Sequence, residues 1–128
     1  MKLFSIEEAN AVLPLLRQCL ERMAEARRTI HRLSPEIRRA QEHADVGGGS
    51  EIGAVYIEQV IRLQREAQKI QSVGVLVKDY DLGLCDFPHD HNGQVVYLCW
   101  RLDEEQIGWW HEVDAGFAGR QPLERLRS

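Results

Sequence analysis

Between Lys78 and Arg120 the sequence gathers all three tryptophans, two of the three cysteines and three of the five histidines. Four groupings in this stretch carry residue types suited to chemistry. Asp86 and Arg101 offer a carboxylate and a guanidinium, able to bind a polar ligand or, as such neighbours more often do, to pair with each other and fix a sheet. His111-Glu112, directly after Trp109-Trp110, has the makings of acid–base catalysis, but neighbours on a strand point to opposite faces, so one of the two is structural. His89-Asp90-His91 has the spacing to chelate a divalent ion, with Asp90, Asp86 or His111 as further ligands. Two imidazoles without a defined third and fourth ligand fall short of a zinc site, so no metal ligand is assigned. Gly116-Phe117-Ala118-Gly119-Arg120 places backbone amides beside an arginine, which suits a carboxylate or phosphate. It lacks the phosphate-loop pattern and its lysine, and a turn folding the tail onto a sheet accounts for it equally well.

These groups need elements to position them. Two β-runs, Leu84 to Pro88 and Gln94 to Arg101, flank a connection ending in Asn92-Gly93, a strong tight-turn signal, and so form an antiparallel hairpin. Alternation puts Cys85 and Phe87 on one face with Val96, Leu98 and Trp100, the core side. Leu84 and Asp86 share the other face with Val95, Tyr97, Cys99 and Arg101. A strand at Val75 to Val77 and another at Ile107 to His111 extend the hairpin to an antiparallel meander of three to four strands. The tail from Asp114 is irregular, with a helical turn near Leu123 to Leu126.

Upstream the period is helical. Ser5-Ile6-Glu7-Glu8 is a capping box that starts a helix. Pro14 predicts a short helix over 6–13 bending into a long one, and Ser34-Pro35 predicts a further kink or break. Ala9, Leu13, Leu16, Leu20, Met23, Arg27, Ile30, Ser34 and Ile37 follow a heptad seam. A glycine-rich loop at 43–50 leads to a second helix from about Glu51 to Val73, with its own seam at Tyr56, Val60, Leu63, Ala67 and Ile70, and Gly74 in the left-handed position that ends it. At 1.5 Å per residue the two helices extend roughly 40 and 33 Å, more than a sheet of five-residue strands covers. A second copy of the chain is the simplest partner for the remainder, which predicts a homodimer through the helical hairpin.

Composition sets the bounds. A chain of 128 residues fits a single domain, 1–128, with the hairpin over 1–73 and the sheet and tail over 74–128. Three cysteines without CxxC spacing argue against a disulfide framework or zinc ribbon. MKLFSIEEAN has no long apolar segment and no run nears the roughly 18 apolar residues of a membrane span, which predicts a cytoplasmic protein without membrane association. Arginines concentrate between Arg17 and Arg39 while Lys78 to Asp114 is acidic. Without a reading motif the arginines do not amount to a nucleic-acid site. No GxSxG, Walker, dinucleotide or HExxH pattern is present.

VKD, GLCDFP, VYLCWR, WHE and GFAGRQPL, together with the opening FSIEEANAVLP, resemble the motif string of a small uncharacterised bacterial family, a domain of unknown function. That resemblance brings no activity or cofactor. It implies that Asp86, Arg101, His111, Glu112 and Arg120, which fall on motif positions, are better site candidates than His89 and His91, which fall in a variable turn.

The expectation is therefore an α+β protein, a long antiparallel helical hairpin followed by a small antiparallel meander. Its predicted role is a dimeric binding or interaction module. Asp86, Tyr97, Arg101, His111, Glu112 and Arg120 line a pocket for a small anionic or polar ligand. The alternative is a small metal-dependent or acid–base enzyme using His111, Glu112 and Asp86.

Overall fold

The computed structural model describes residues 1–42 and 50–127. It is an α+β fold: helix α1 (Ile6–Glu42) and helix α2 (Ser50–Ser72) pack as a hairpin, and a five-stranded antiparallel sheet follows. The sheet is a meander of β1 (Leu76–Asp79), β2 (Leu84–His91), β3 (Gln94–Trp100), β4 (Trp109–Glu112) and β5 (Gln121–Pro122), and helix α3 (Leu123–Arg127) closes the chain. The loop expected at 43–50 lies outside the described residues except for Ser50, which opens α2. Among the described residues no helix is long and apolar enough to cross a membrane.

The chain divides into two compact units, Met1–Gln18 with Ile70–Ser128, and Cys19–Lys69. The first holds the sheet. Its opening is the expected capping box: the Ser5 amide donates to Glu8 Oε1 at 2.9 Å and the Glu8 amide to Ser5 Oγ at 3.0 Å. That pairing, led by the Ser5 backbone bond, holds the Glu8 carboxyl below its ordinary range. Phe4 sets its ring edge-on to Phe87 at 5.2 Å, the Asn10 side chain accepts from the Ile107 amide at 2.8 Å, and Arg17 lies over Trp100. The first turns of α1 thus cover the apolar sheet face, where Ala9, Leu13, Leu16, Phe87, Leu98 and Trp100 are all buried.

Neither proline interrupts α1, contrary to the expected helix over 6–13 and the break at Ser34-Pro35. Pro14 sits on the exposed side between the buried Leu13 and Leu16, whose packing outweighs one lost helix bond. Ser34 does not cap a new helix; its hydroxyl donates back to the Ile30 carbonyl at 2.9 Å. Helix α2 ends as expected, with Gly74 at φ 89°.

The hairpin of β2 and β3 turns on Asn92 (φ 52°) and Gly93 (φ 87°), and a two-residue loop preserves the predicted alternation. Cys85 faces Trp100 and Phe87 faces Leu98, while Asp86 faces Cys99 on the other side. The tail supplies a fifth strand that the expected meander of three to four lacked, because Pro122, which has no amide to donate, is tolerated at a sheet edge.

In the second unit Cys19, Leu20, Met23 and Ala26 of α1 are buried, and so is Glu66 of α2. Glu66 accepts from Lys69 at 3.1 Å and lies 3.6 Å from Arg22. Burial pushes its carboxyl up, but hydrogen bonds from the Cys19 thiol and Lys69 outweigh that and hold it below its ordinary range. Beyond this cluster the α2 seam fades: Val60, Leu63 and Ala67 are half-buried and Tyr56 is exposed.

Candidate functional site

Register on three neighbouring strands assembles the polar centre. Asp86 on β2 is the direct cross-strand partner of Cys99 on β3, and His111 on β4 is the partner of Tyr97, two residues before Cys99. All three chemical groups therefore leave the sheet on the same side. Asp86, Cys99 and His111 are buried, and their ligand atoms lie within 4.8 Å of one another.

Hydrogen-bond accounting fixes much of the protonation. His111 Nδ1 lies 2.7 Å from the Glu112 carbonyl, which only accepts, so Nδ1 carries a hydrogen. His111 Nε2 lies 3.0 Å from Asp86 Oδ1, and two lone pairs would repel at that distance. A proton therefore sits between them, and the pair is net neutral wherever along the bond that proton resides. Around the Cys99 thiol, burial first, then the neighbouring Asp86 charge, pushes it up to about 12. Burial likewise pushes the Cys85 thiol to about 12.

Beside this trio lies a cavity of about 220 Å³ whose wall includes Lys78, Asp86, Tyr97, His111, Gly116 and Phe117. Tyr97 meets the His111 ring edge-on at 5.5 Å, and the Lys78 ammonium stands 5.4 Å from the Tyr97 ring centre. The chain reverses over this face at Gly116 (φ 65°), and a turn of 3-10 helix, Phe117–Gly119, brings Phe117 across it.

Of the six predicted pocket residues the structure brings together Asp86, Tyr97 and His111. Arg101 does not pair with Asp86; it binds Asp103 through Nε at 2.6 Å and through a second nitrogen at 3.0 Å. Arg120 gives one terminal nitrogen to both carboxylate oxygens of Glu104, at 2.8 and 2.9 Å, and its guanidinium lies between the rings of Trp109 and Phe117. Glu112 pairs with Val96, so its exposed side chain belongs to the opposite face. Both arginines lie against Phe117 of the cavity wall. The amides of Gly119 and Arg120 are spent inside their own turn, which leaves the glycine segment as a fold of the tail.

His89 is tied down as well, donating from Nδ1 to the Phe4 carbonyl at 2.6 Å. Two contributors escaped the sequence reading. Cys99 shares the predicted face of Asp86, so alternation already pointed to it; Lys78 lies one residue past the expected strand over 75–77, within the VKD string, and was not taken as a site residue. Glu104 is a third omission: its carboxylate receives Arg120 and the Arg101 amide, and its carbonyl receives Trp100 Nε1 and Arg17.

None of the curated proteins and none of the solved structures matches this chain. A family model does match, over residues 2–123 of the 128. Its description is "Uncharacterized conserved protein (DUF2203)", and the chain belongs to that family.

Proposed function

We propose that the protein is a dimeric binding module that holds a small polar or anionic ligand in the cavity beside Asp86, Tyr97 and His111. One observation carries this reading. A buried ionisable pair forms part of the wall of a cavity, where a pair serving stability alone would gain more from close packing. At about 220 Å³ the space is smaller than a drug-sized site and equals roughly seven waters, the bulk of an acid of a few carbons. Lys78 supplies a positive charge at the rim, and Leu84, Val113 and Phe117 supply apolar contact for a short stem. Thermal shift and calorimetry with acetate, malonate, succinate and inorganic phosphate test this. Stabilisation by at least one anion, lost in Lys78→Ala, supports the reading. No stabilisation, or the same stabilisation in Lys78→Ala, overturns it.

The second copy has its own support. In the distal hairpin, over 27–39 and 51–65, no side chain is buried, while Val55, Ile57 and Ile61 are 40%, 58% and 46% exposed. Two helices alone bury only one stripe each, and a second copy supplies the missing layer. Light scattering on the eluting protein should give twice the chain mass. Ile57→Glu with Ile61→Glu should give the single mass, and a wild-type monomer at micromolar concentration refutes the dimer.

A second reading, a small acid–base enzyme, is favoured by the Asp86–His111 hydrogen bond itself. Glu112 has no part in it, since its side chain lies on the other face.

A further inference from the structure

We propose that Asp86, Cys99 and His111 form a divalent-metal site with three protein ligands and a fourth position directed at the cavity, and that zinc is the ion their donors fit best. The inference does not rest on the anion reading above, because the ligands are buried side chains of the sheet and need nothing bound in the cavity.

Geometry comes first. A tetrahedral ion about 2.0–2.3 Å from each ligand atom requires those atoms to stand roughly 3.3–3.7 Å apart. Here all three lie within 4.8 Å of one another, and the Asp86–His111 contact of 3.0 Å has to open only slightly. The three residues sit on adjacent, mutually hydrogen-bonded strands, so the spacing is set by the sheet and not by loops. Among the described residues this is the single group of three or more such side chains close enough to share an ion.

Orientation points the same way. Metal-bound histidines commonly donate their second ring nitrogen to a carbonyl or carboxylate, which fixes the ring and raises the basicity of the other nitrogen. His111 already does this, with Nδ1 on the Glu112 carbonyl at 2.7 Å and Nε2 turned toward Asp86. Thiolate, imidazole and carboxylate together suit zinc and related transition ions and do not suit calcium or magnesium, which take oxygen shells. Three protein ligands with an open fourth position is also the arrangement that catalytic zinc adopts. The open side here is the cavity, since Asp86 and His111 both line it.

Charge also balances. Without an ion the trio carries a net-neutral Asp86–His111 pair and a protonated thiol. A divalent ion bound by carboxylate, thiolate and neutral imidazole is again net neutral, so one M²⁺ enters as two protons leave, one from the His111–Asp86 bond and one from Cys99. A buried site can make that exchange without acquiring net charge.

The test uses tag-free, chelator-treated full-length protein titrated with Co²⁺ and then Zn²⁺. One Co²⁺ per chain should bind and produce the near-ultraviolet sulfur-to-cobalt charge-transfer absorption, which Zn²⁺ then removes by displacement. The absorption should persist in Cys19→Ser with Cys85→Ala, where Cys99 is the remaining thiol, and vanish in Cys99→Ser. His111→Gln should weaken binding by at least about a hundredfold, the upper end of what even an outer-shell partner contributes. His89→Ala with His91→Ala should bind as the wild type does. Calorimetry in buffers of different ionisation enthalpy should count about two protons released per ion. The proposal falls if wild-type protein binds no Co²⁺ with a thiolate band, if the band survives Cys99→Ser, or if binding follows His89 and His91 instead. A failed anion screen leaves each of these readouts untouched, so the two proposals stand or fall separately.

Discussion

Removing the Asp86 carboxylate separates hydrogen bonding from charge at the centre of the sheet. In Asp86→Ala the buried His111 Nε2 loses its partner. Truncating one member of a buried pair costs about 3–5 kcal/mol when the other charge is stranded. An unpaired ring nitrogen costs about 1–3 kcal/mol, and the missing carboxyl leaves a small void besides. The sum is about 3 kcal/mol. Asp86→Asn should behave differently. Its amide can donate to the His111 Nε2 lone pair, so the contact is remade and the loss should stay within about 1 kcal/mol. At about 2.1 cal/mol/K per residue, a chain of 128 residues loses about 4 °C of melting temperature per kcal/mol, so the two variants should melt about 11 °C and at most about 4 °C below wild type. Trp100, Trp109 and Trp110 all lie in β3 and β4, so urea unfolding followed by tryptophan fluorescence reads the element in question. Equal losses in the two variants, or an alanine variant within 1 kcal/mol of wild type, refute the hydrogen-bond accounting given for the site.

Other consequences are as direct. Thiols pushed from 9.0 to about 12 at Cys85 and Cys99 leave a thousandfold less thiolate at pH 8, so in metal-free native protein both should react with a disulfide reagent about a thousandfold more slowly than in urea. Because the folded values are raised, the thiols' contribution to stability is complete below pH 9 and is lost between 9 and about 12. Urea midpoints measured across that range should therefore fall, and fall less in Cys85→Ala than in wild type. Glu66 has the opposite sign: its lowered carboxyl stabilises the fold above the ordinary 4.5 and ceases to as pH drops through the folded value, so Glu66→Gln should flatten the acid side of a stability–pH curve. Gly83→Ala puts a methyl 2.5 Å from Leu102 Cβ at a residue with φ 65°, which should cost about 3 kcal/mol in the same urea assay; a neutral result would mean that the turn before β2 yields freely.

Asp86, Tyr97 and Cys99 could be placed on one face from the sequence because Asn92-Gly93 closes the hairpin with two residues, and an even loop preserves parity. His111 joins them only through the pairing of β3 with β4, whose register is set across the loop after Trp100. Composition does not encode that register; Glu104, one acid among many in the sequence, supplies it through four contacts. Arg101 pairs with Asp103 and not Asp86 for a related reason. Between Lys78 and Asp114 there are nine acids and two bases, so an arginine in that stretch finds a carboxylate nearer than a ligand. The prolines of α1 show the reverse error, a local preference taken as decisive where burial of Leu13 and Leu16 on either side prevails.

Arg101 and Arg120 nevertheless bear on the cavity wall, through Phe117. Arg120 is held in its plane by Glu104 and on its faces by Trp109 at 4.7 Å and Phe117 at 4.8 Å, with Arg101 against Phe117 at 5.7 Å. With side chains only 11% and 17% exposed, the Arg120–Glu104 pair is shielded from solvent in a way that surface ion pairs are not. Phe117 is thereby fastened across the cavity that Asp86 and His111 line. The ionisable groups of the C-terminal stretch thus divide by place: the carboxylate, thiol and imidazole are buried together on the sheet, while the guanidiniums and Glu104 hold the tail. Substituting either arginine should loosen Phe117 before it disturbs the Asp86–His111 contact, so amide exchange over 116–120 should quicken while the strands keep their protection.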